Sequence, residues 1–363
     1  MGLFSPKRRL EQIQKELEET PLGLDRIALI ERGIAEATRL SDPEAGFDLR
    51  ENLLTSCMLI GRLDRCIPAM EWCLARCDAE PDQFDAARVL WQYKWIIAEL
   101  PRHSHYSRQT IDRGIEDLAA RFERAGWGPR AAALLRLSTA LTMADQEEAH
   151  VHFERWSSLP RDHGSDCEAC DVGNEVRYRL AADDFDGAIR AADPLLDGQL
   201  KCEEEPAITL SRLPFAYVGA ERFDDALETA KVAIDLILDG HQYCEARGRV
   251  MHLLLMSGNV EPAGRLLEVS LPQALHAGND LSLLQTCVIG VALVDAARAR
   301  GIDVPTPDDL PPQAGATTEA LRDWMADQAE TLAPRFDARN GNSYYSDFWS
   351  AFKDFGTNLP DAN

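Results

Sequence analysis

"AERFDDALETAKVAI" occupies residues 220–234, "ADDFDGAIRAADPLL" residues 182–196 and "SGNVEPAGRLLEVSL" residues 257–271. Stacked, the three share one grammar: a turn-forming break, an apolar residue, and an alanine three positions later. Those alanines are Ala188, Ala226 and Ala263, at intervals of 38 and 37 residues. Upstream, "ADQEEAHVHFERW" puts Ala149 39 residues before Ala188, and "YSRQTIDRGIEDL" puts Gly114 35 residues before that. "IGRLDRCIPAMEW" carries the pattern around Cys66. Self-similarity at this period is the signature of a helical solenoid built from antiparallel helix pairs.

Packing physics explains the small residue. An outer helix crosses its inner partner closely only where Ala, Gly or Cys keeps the axes near the short end of ~8–10 Å. The residue three positions earlier (Phe185, Phe223, Val260) is then expected to fill the hole between neighbouring pairs. Phe223, Ala226, Leu227, Ala230, Ala233, Ile234 and Ile237 fall on one helical stripe. Helix stops are read at Gly61, Gly126, Gly198, Gly240, Gly278 and Gly301. The pattern predicts an all-α α-α superhelix of six to seven pairs over 1–300. The Pro- and Gly-rich stretch 301–318 reads as a loop or linker, and 319–363 as a C-terminal helix with an aromatic cap. No stretch reads as a strand.

Composition agrees. Of 363 residues, 45% are hydrophobic, 27% charged and 7% aromatic, a helix-favouring mixture. The formal charge of −23 argues against direct binding to a phosphate backbone and favours a basic partner or simple solubility. Lys7-Arg8-Arg9 near the N-terminus has no apolar segment after it, so no secretory signal is read, and no apolar run reaches the ~20 residues of a membrane span. Nine cysteines, an odd number without framework spacing, fit a reducing cytoplasm.

"AYVGAERFDDALETAKVAI" (216–234) resembles the helix-turn-helix joint of tetratricopeptide repeats, and the resemblance extends over roughly 170–275. "LPRDHGSDCEACDVGN", "GQLKCEEEP" and "FDARNGN" are similar to stretches of bacterial proteins known only as tetratricopeptide-repeat proteins. The resemblance implies stacked helix pairs and a protein or peptide partner, and implies no activity. Intervals here exceed that family's usual ~34 residues.

The single Cys-x-x-Cys, Cys167 and Cys170, stands 35 residues before Cys202, about one repeat. Positions one repeat apart occupy equivalent places on adjacent pairs, so three readings stand. They could be buried apolar thiols, a redox pair, or part of a structural zinc site completed by His163, Asp166, His241 or Cys244. No other cofactor is implied. Cys57, Cys66, Cys73 and Cys77 read as core packing of another pair.

No nucleophile–base–orienter constellation and no Gly-rich phosphate loop occurs, so catalysis is not expected. His103 and His105, near Tyr106, read as a loop that either binds metal or is solvated, and His150 and His152 point to different helix faces. Partner contacts are expected on the concave face, from Trp91, Tyr93, Lys94, Trp95, Arg177, Tyr178, Arg212 and Tyr217. Trp91 with Trp95, Tyr178 and Tyr217 each have a packing alternative; Arg212 is the best fit to a carboxylate. A second reading is an acidic, immunity-type regulator that sequesters a basic toxin or nucleic-acid-binding protein. The tail "NSYYSDFWSAFKDFG" (342–356) reads as a cap with Phe348, Trp349, Phe352 and Phe355 inward, or else as a groove occupant or docking helix.

Overall fold

The computed structural model describes residues 6–238, 240–312, 314–315 and 317–355. Among them are seventeen α-helices and no strand. In chain order these are α1 (Pro6–Glu19), α2 (Leu24–Leu40), α3 (Pro43–Leu59), α4 (Leu63–Ala79), α5 (Ala87–Glu99) and α6 (Arg108–Arg124). The next six are α7 (Arg130–Thr142), α8 (Gln146–Ser158), α9 (Glu168–Ala181), α10 (Phe185–Leu196), α11 (Ala207–Gly219) and α12 (Phe223–Ile237). The last are α13 (Cys244–Met256), α14 (Val260–Ala277), α15 (Asp280–Arg300), α16 (Thr318–Asn340) and α17 (Tyr344–Phe352). From α3 onward, odd helices stack on one another as an inner layer, and each even helix to α16 covers its odd predecessor. This is an all-α helical solenoid.

The repeat rests on a turn as much as on an alanine. Two residues before the first residue of α3, α4, α8, α10, α12 and α14, the chain adopts left-handed φ at Ser41, Gly61, Ala144, Asp183, Glu221 and Gly258. In each, the next N–H reaches back five residues to a carbonyl of the preceding helix, at 2.7–3.0 Å. These are Schellman closures, which satisfy carbonyls orphaned at the helix end. Asp42, Asp145 and Asp184 then cap the next helix, each accepting from the backbone N–H three residues on. One backbone device therefore sets the same reversal six times, with glycine at two of them.

Ala149, Ala188, Ala226 and Ala263 all stand fourth in their helices, and each is 0–1% exposed. Cys66 takes the same place in α4, also fully buried. In α6 that place belongs to Ile111, so the register read through Gly114 is shifted by three residues. The expected plug residues divide. Val260 is buried, and Phe185 lies against Gly219, where an added Cβ would come within 2.5 Å of its ring. Phe223 is 61% exposed and plugs nothing. The position equivalent to Gly219, 34 residues after the aromatic in both repeats, is Ser257.

The C-terminal segment shares the solenoid's core. One apolar cluster runs continuously from Val176 to Phe352 and includes Leu321, Trp324, Phe336, Tyr345 and Trp349. Phe348 and Phe355 are partly buried against it, so the aromatic tail does lie inward. At its centre is α15, buried nearly throughout from Leu281 to Ala297. It is the one helix among the described residues long and apolar enough to cross a membrane, and here its neighbours are protein.

The stack does not stay open. Ser104 gives Asp280 two bonds of 2.7 Å, from its backbone N–H and its hydroxyl. Arg339 donates to the carbonyls of Pro101 and His103, and Asn342 to that of Met143. Residues of the first half are thus tied to residues 176–238 positions further along the chain. The array closes on itself, and the space that its inner helices face, the lumen, gathers charged side chains from α9, α11 and α13.

Candidate functional site

Four guanidiniums meet in that lumen. Arg102 comes from the short helical turn Leu100–Arg102, Arg177 from α9, Arg212 from α11 and Arg249 from α13. All lie deep in the molecule, yet each keeps part of its surface open to solvent. Arg102 is matched: it bonds Glu245 at 2.5 Å and lies 3.6 Å from Glu99. Burial works against the Glu245 carboxylate, but Arg102, Arg249, Arg177 and Arg212 outweigh it and hold its pKa below the ordinary value.

Arg177 and Arg212 have no such partner. Arg177 donates to the hydroxyls of Ser138 and Thr142, at 2.8 and 2.9 Å, and Arg212 to the Gly173 carbonyl at 3.2 Å. No carboxylate among the described residues forms an ion pair with either. Burial depresses the pKa of both, and Arg212 is the leading like charge on both Arg177 and Arg249. A guanidinium stays protonated in a protein, so the depression, caused first by burial, marks positive charge taken partly out of water. Glu205 offsets Arg212 only in part: it makes no ion pair with it, its carboxylate accepts the Thr209 N–H at 2.9 Å, and burial raises its pKa. Tyr344, 54% exposed, stands near Arg177 at the start of α17.

Other residues expected on this face lie elsewhere. Tyr178 and Tyr217 are only 9% and 8% exposed. Tyr178 stacks on Phe153 at 3.8 Å and its hydroxyl meets His150 Nδ1 at 2.7 Å, while Arg222 covers the Tyr217 ring. Their rings turn between inner and outer helices, so they are packing residues. Trp91 and Trp95 are half-buried, 6.1 Å apart. Between them Lys94 lies over Trp91 and ties α5 to the 159–167 loop through the Gly164 carbonyl and Asp166, at 3.0 and 2.7 Å. Sequence reasoning missed Arg102, Glu245 and Arg249. One signal was legible: Arg212 and Arg249 are 37 residues apart, as are Ala226 and Ala263.

Away from the arginines the chain brings three cysteines together, at the start of α9 and in the loop between α10 and α11. The sulfurs of Cys167, Cys170 and Cys202 all lie within 4.8 Å of one another, with Cys170 and Cys202 3.6 Å apart. Cys167 is exposed and the other two are half-buried, which removes the reading of all three as core thiols. The remaining six cysteines are buried, Cys57, Cys66, Cys73 and Cys77 among them. Neither His163 nor Cys244 joins the cluster; Cys244 accepts from Arg247 at 3.3 Å inside the core. The side chain of His241 lies outside the described residues. A second set, His103, His105 and Asp280, also gathers within 4.8 Å, but Asp280 is already held by Ser104. His103 is 7% exposed and belongs to the closing joint, so the loop is not simply solvated.

No model of a known protein family matches the chain, and no curated protein matches it by sequence.

Proposed function

We propose that the chain is a non-catalytic helical-repeat scaffold of tetratricopeptide type, which receives a protein or peptide segment on its concave face. The anchor is a carboxylate, from an acidic side chain or a chain end, seated between Arg177 and Arg212. The observation that carries this reading is the pair of guanidiniums bonded only to neutral groups, each deep in the molecule yet partly accessible to solvent. Planar forks of this kind bind carboxylates bidentately. The test is a peptide array presented to the full chain, free C-termini against amidated ones and acidic residues against their amides. Carboxylate-bearing peptides should bind selectively, and Arg212→Ala should weaken them at least tenfold while Arg190→Ala, exposed on α10, leaves them unchanged. Equal binding of the amidated peptides would refute it.

The formal charge of −23 supports a second reading, an acidic regulator that sequesters a basic partner. Association through the exterior charge would collapse between low and high salt and be indifferent to Arg212.

A further inference from the structure

The lumen leaves the thiol cluster unused, and the cluster has features that packing does not explain. Its members come from two segments, the start of α9 and the loop between α10 and α11. Cys167 caps α9, its sulfur accepting the Cys170 N–H at 3.4 Å, and the Cys202 sulfur accepts the Glu205 N–H at 3.3 Å. Two sulfurs are thus each held by a backbone donor three residues on, which stabilises negative charge on sulfur and fixes where its remaining lone pairs point. Tetrahedral zinc with Zn–S of ~2.3 Å needs sulfurs about 3.8 Å apart. The Cys170–Cys202 separation of 3.6 Å already meets that, and a spread of no more than 4.8 Å puts the third within a rotamer adjustment. A disulfide would use two sulfurs and leave the third, with its own donor, unexplained. Solvent reaches the cluster at Cys167, which gives an ion a way in.

We propose that Cys167, Cys170 and Cys202 bind one thiophilic divalent ion, zinc being the chemical match, as three thiolates with the fourth position open to water or an exogenous ligand. Binding exchanges the three thiol protons for the ion, so affinity rises with pH. The ion pins the start of α9 to the loop that leads into α11. Those two segments carry Asp166, the Glu204 and Glu205 carboxylates, and the Gly173 carbonyl that holds Arg212. The site stands without the carboxylate reading of the lumen.

The test uses the full chain, stripped with a chelator under a phosphine reductant and titrated with cobalt(II). One equivalent should produce the thiolate-to-cobalt charge-transfer band and the intense visible d–d bands of a tetrahedral site, and zinc should erase both. Cys167→Ser is the decisive variant. Serine is a strong N-cap, so α9 keeps its start while the ligand is lost. Circular dichroism should be unchanged, and zinc affinity should fall by more than the roughly 10–100-fold of an outer-shell change. His105→Ala, at the other His/Asp set, should change nothing. Absence of the charge-transfer band, its survival in Cys167→Ser, or its loss in His105→Ala overturns the proposal. So does a reduced protein that gives no cobalt band and responds to mild oxidant only with a Cys170–Cys202 disulfide, which would make these two a redox pair.

Discussion

The phenol of Tyr345 donates a 2.6 Å hydrogen bond to the carbonyl of Thr142, 203 residues earlier in the chain. It joins the start of α17 to the end of α7, and it is buried. Tyr345→Phe keeps the ring against Phe336 and deletes only the donor, leaving a carbonyl without its partner. The expected cost is ~1–3 kcal/mol, read as a lower urea midpoint at unchanged slope. Amide exchange should quicken first in α17.

Arg247 is the largest side chain with no exposure. It donates to the carbonyls of Ile237 and Gly240, at 2.7 and 3.0 Å, to Ser270 Oγ at 3.0 Å, and to Gln273. It therefore fastens the end of α12 to α14 through α13. Arg247→Met fills the volume but strands several buried acceptors, so a loss of ~3 kcal/mol or more is expected in chemical denaturation. Lysine in the same place should not rescue it, because one ammonium cannot span that fan of acceptors.

His252 lies between the rings of Phe215 and Phe352, and burial lowers its pKa to about 4. The unfolded chain binds that proton near pH 6.5. The neutral ring's contribution is thus complete above pH 6.5 and fades as pH falls towards 4. His252→Phe should remove this part of the acid sensitivity and leave the variant about 1–2 kcal/mol better off than wild type at pH 5 than it is at pH 7. Denaturation midpoints at the two pH values check it. His103, lowered to about 4 chiefly by burial, should go on titrating in that variant.

Glu221 and Gly258 occupy the same turn position, with φ of 61° and 77°. A side chain there costs roughly 1 kcal/mol against glycine. Glu221→Gly should therefore raise the melting temperature, Gly258→Ala should lower it, and the two shifts should be similar in size.

Much of this molecule could be read from residues alone. Ala188, Ala226 and Ala263 mark the fourth position of three outer helices because close helix crossing is a local demand, repeated at a fixed interval. Cys167, Cys170 and Cys202 could be placed together for the same reason: one repeat along the chain is one step in space. Which side of the inner helix a tyrosine takes was not legible, and Tyr178 and Tyr217 went into the core where a partner surface was expected. Closure was not legible either. Ser104 with Asp280, and Arg339 with Pro101, are meetings set by the accumulated rotation of several repeats, which no single repeat encodes.

The bonds of Ser104 to Asp280 have a consequence for descent and for engineering. An end-to-end stack tolerates insertion or removal of a unit, since each unit knows only its neighbours. Here the joint between α5 and α6 and the start of α15 must arrive at one place. Duplicating α11 with α12, or excising them, would carry Asp280 away from Ser104 and Arg339 from Pro101, so the number of units between Ser104 and Asp280 is fixed by geometry. Lineages that kept the clasp should vary in loop length and spare the count.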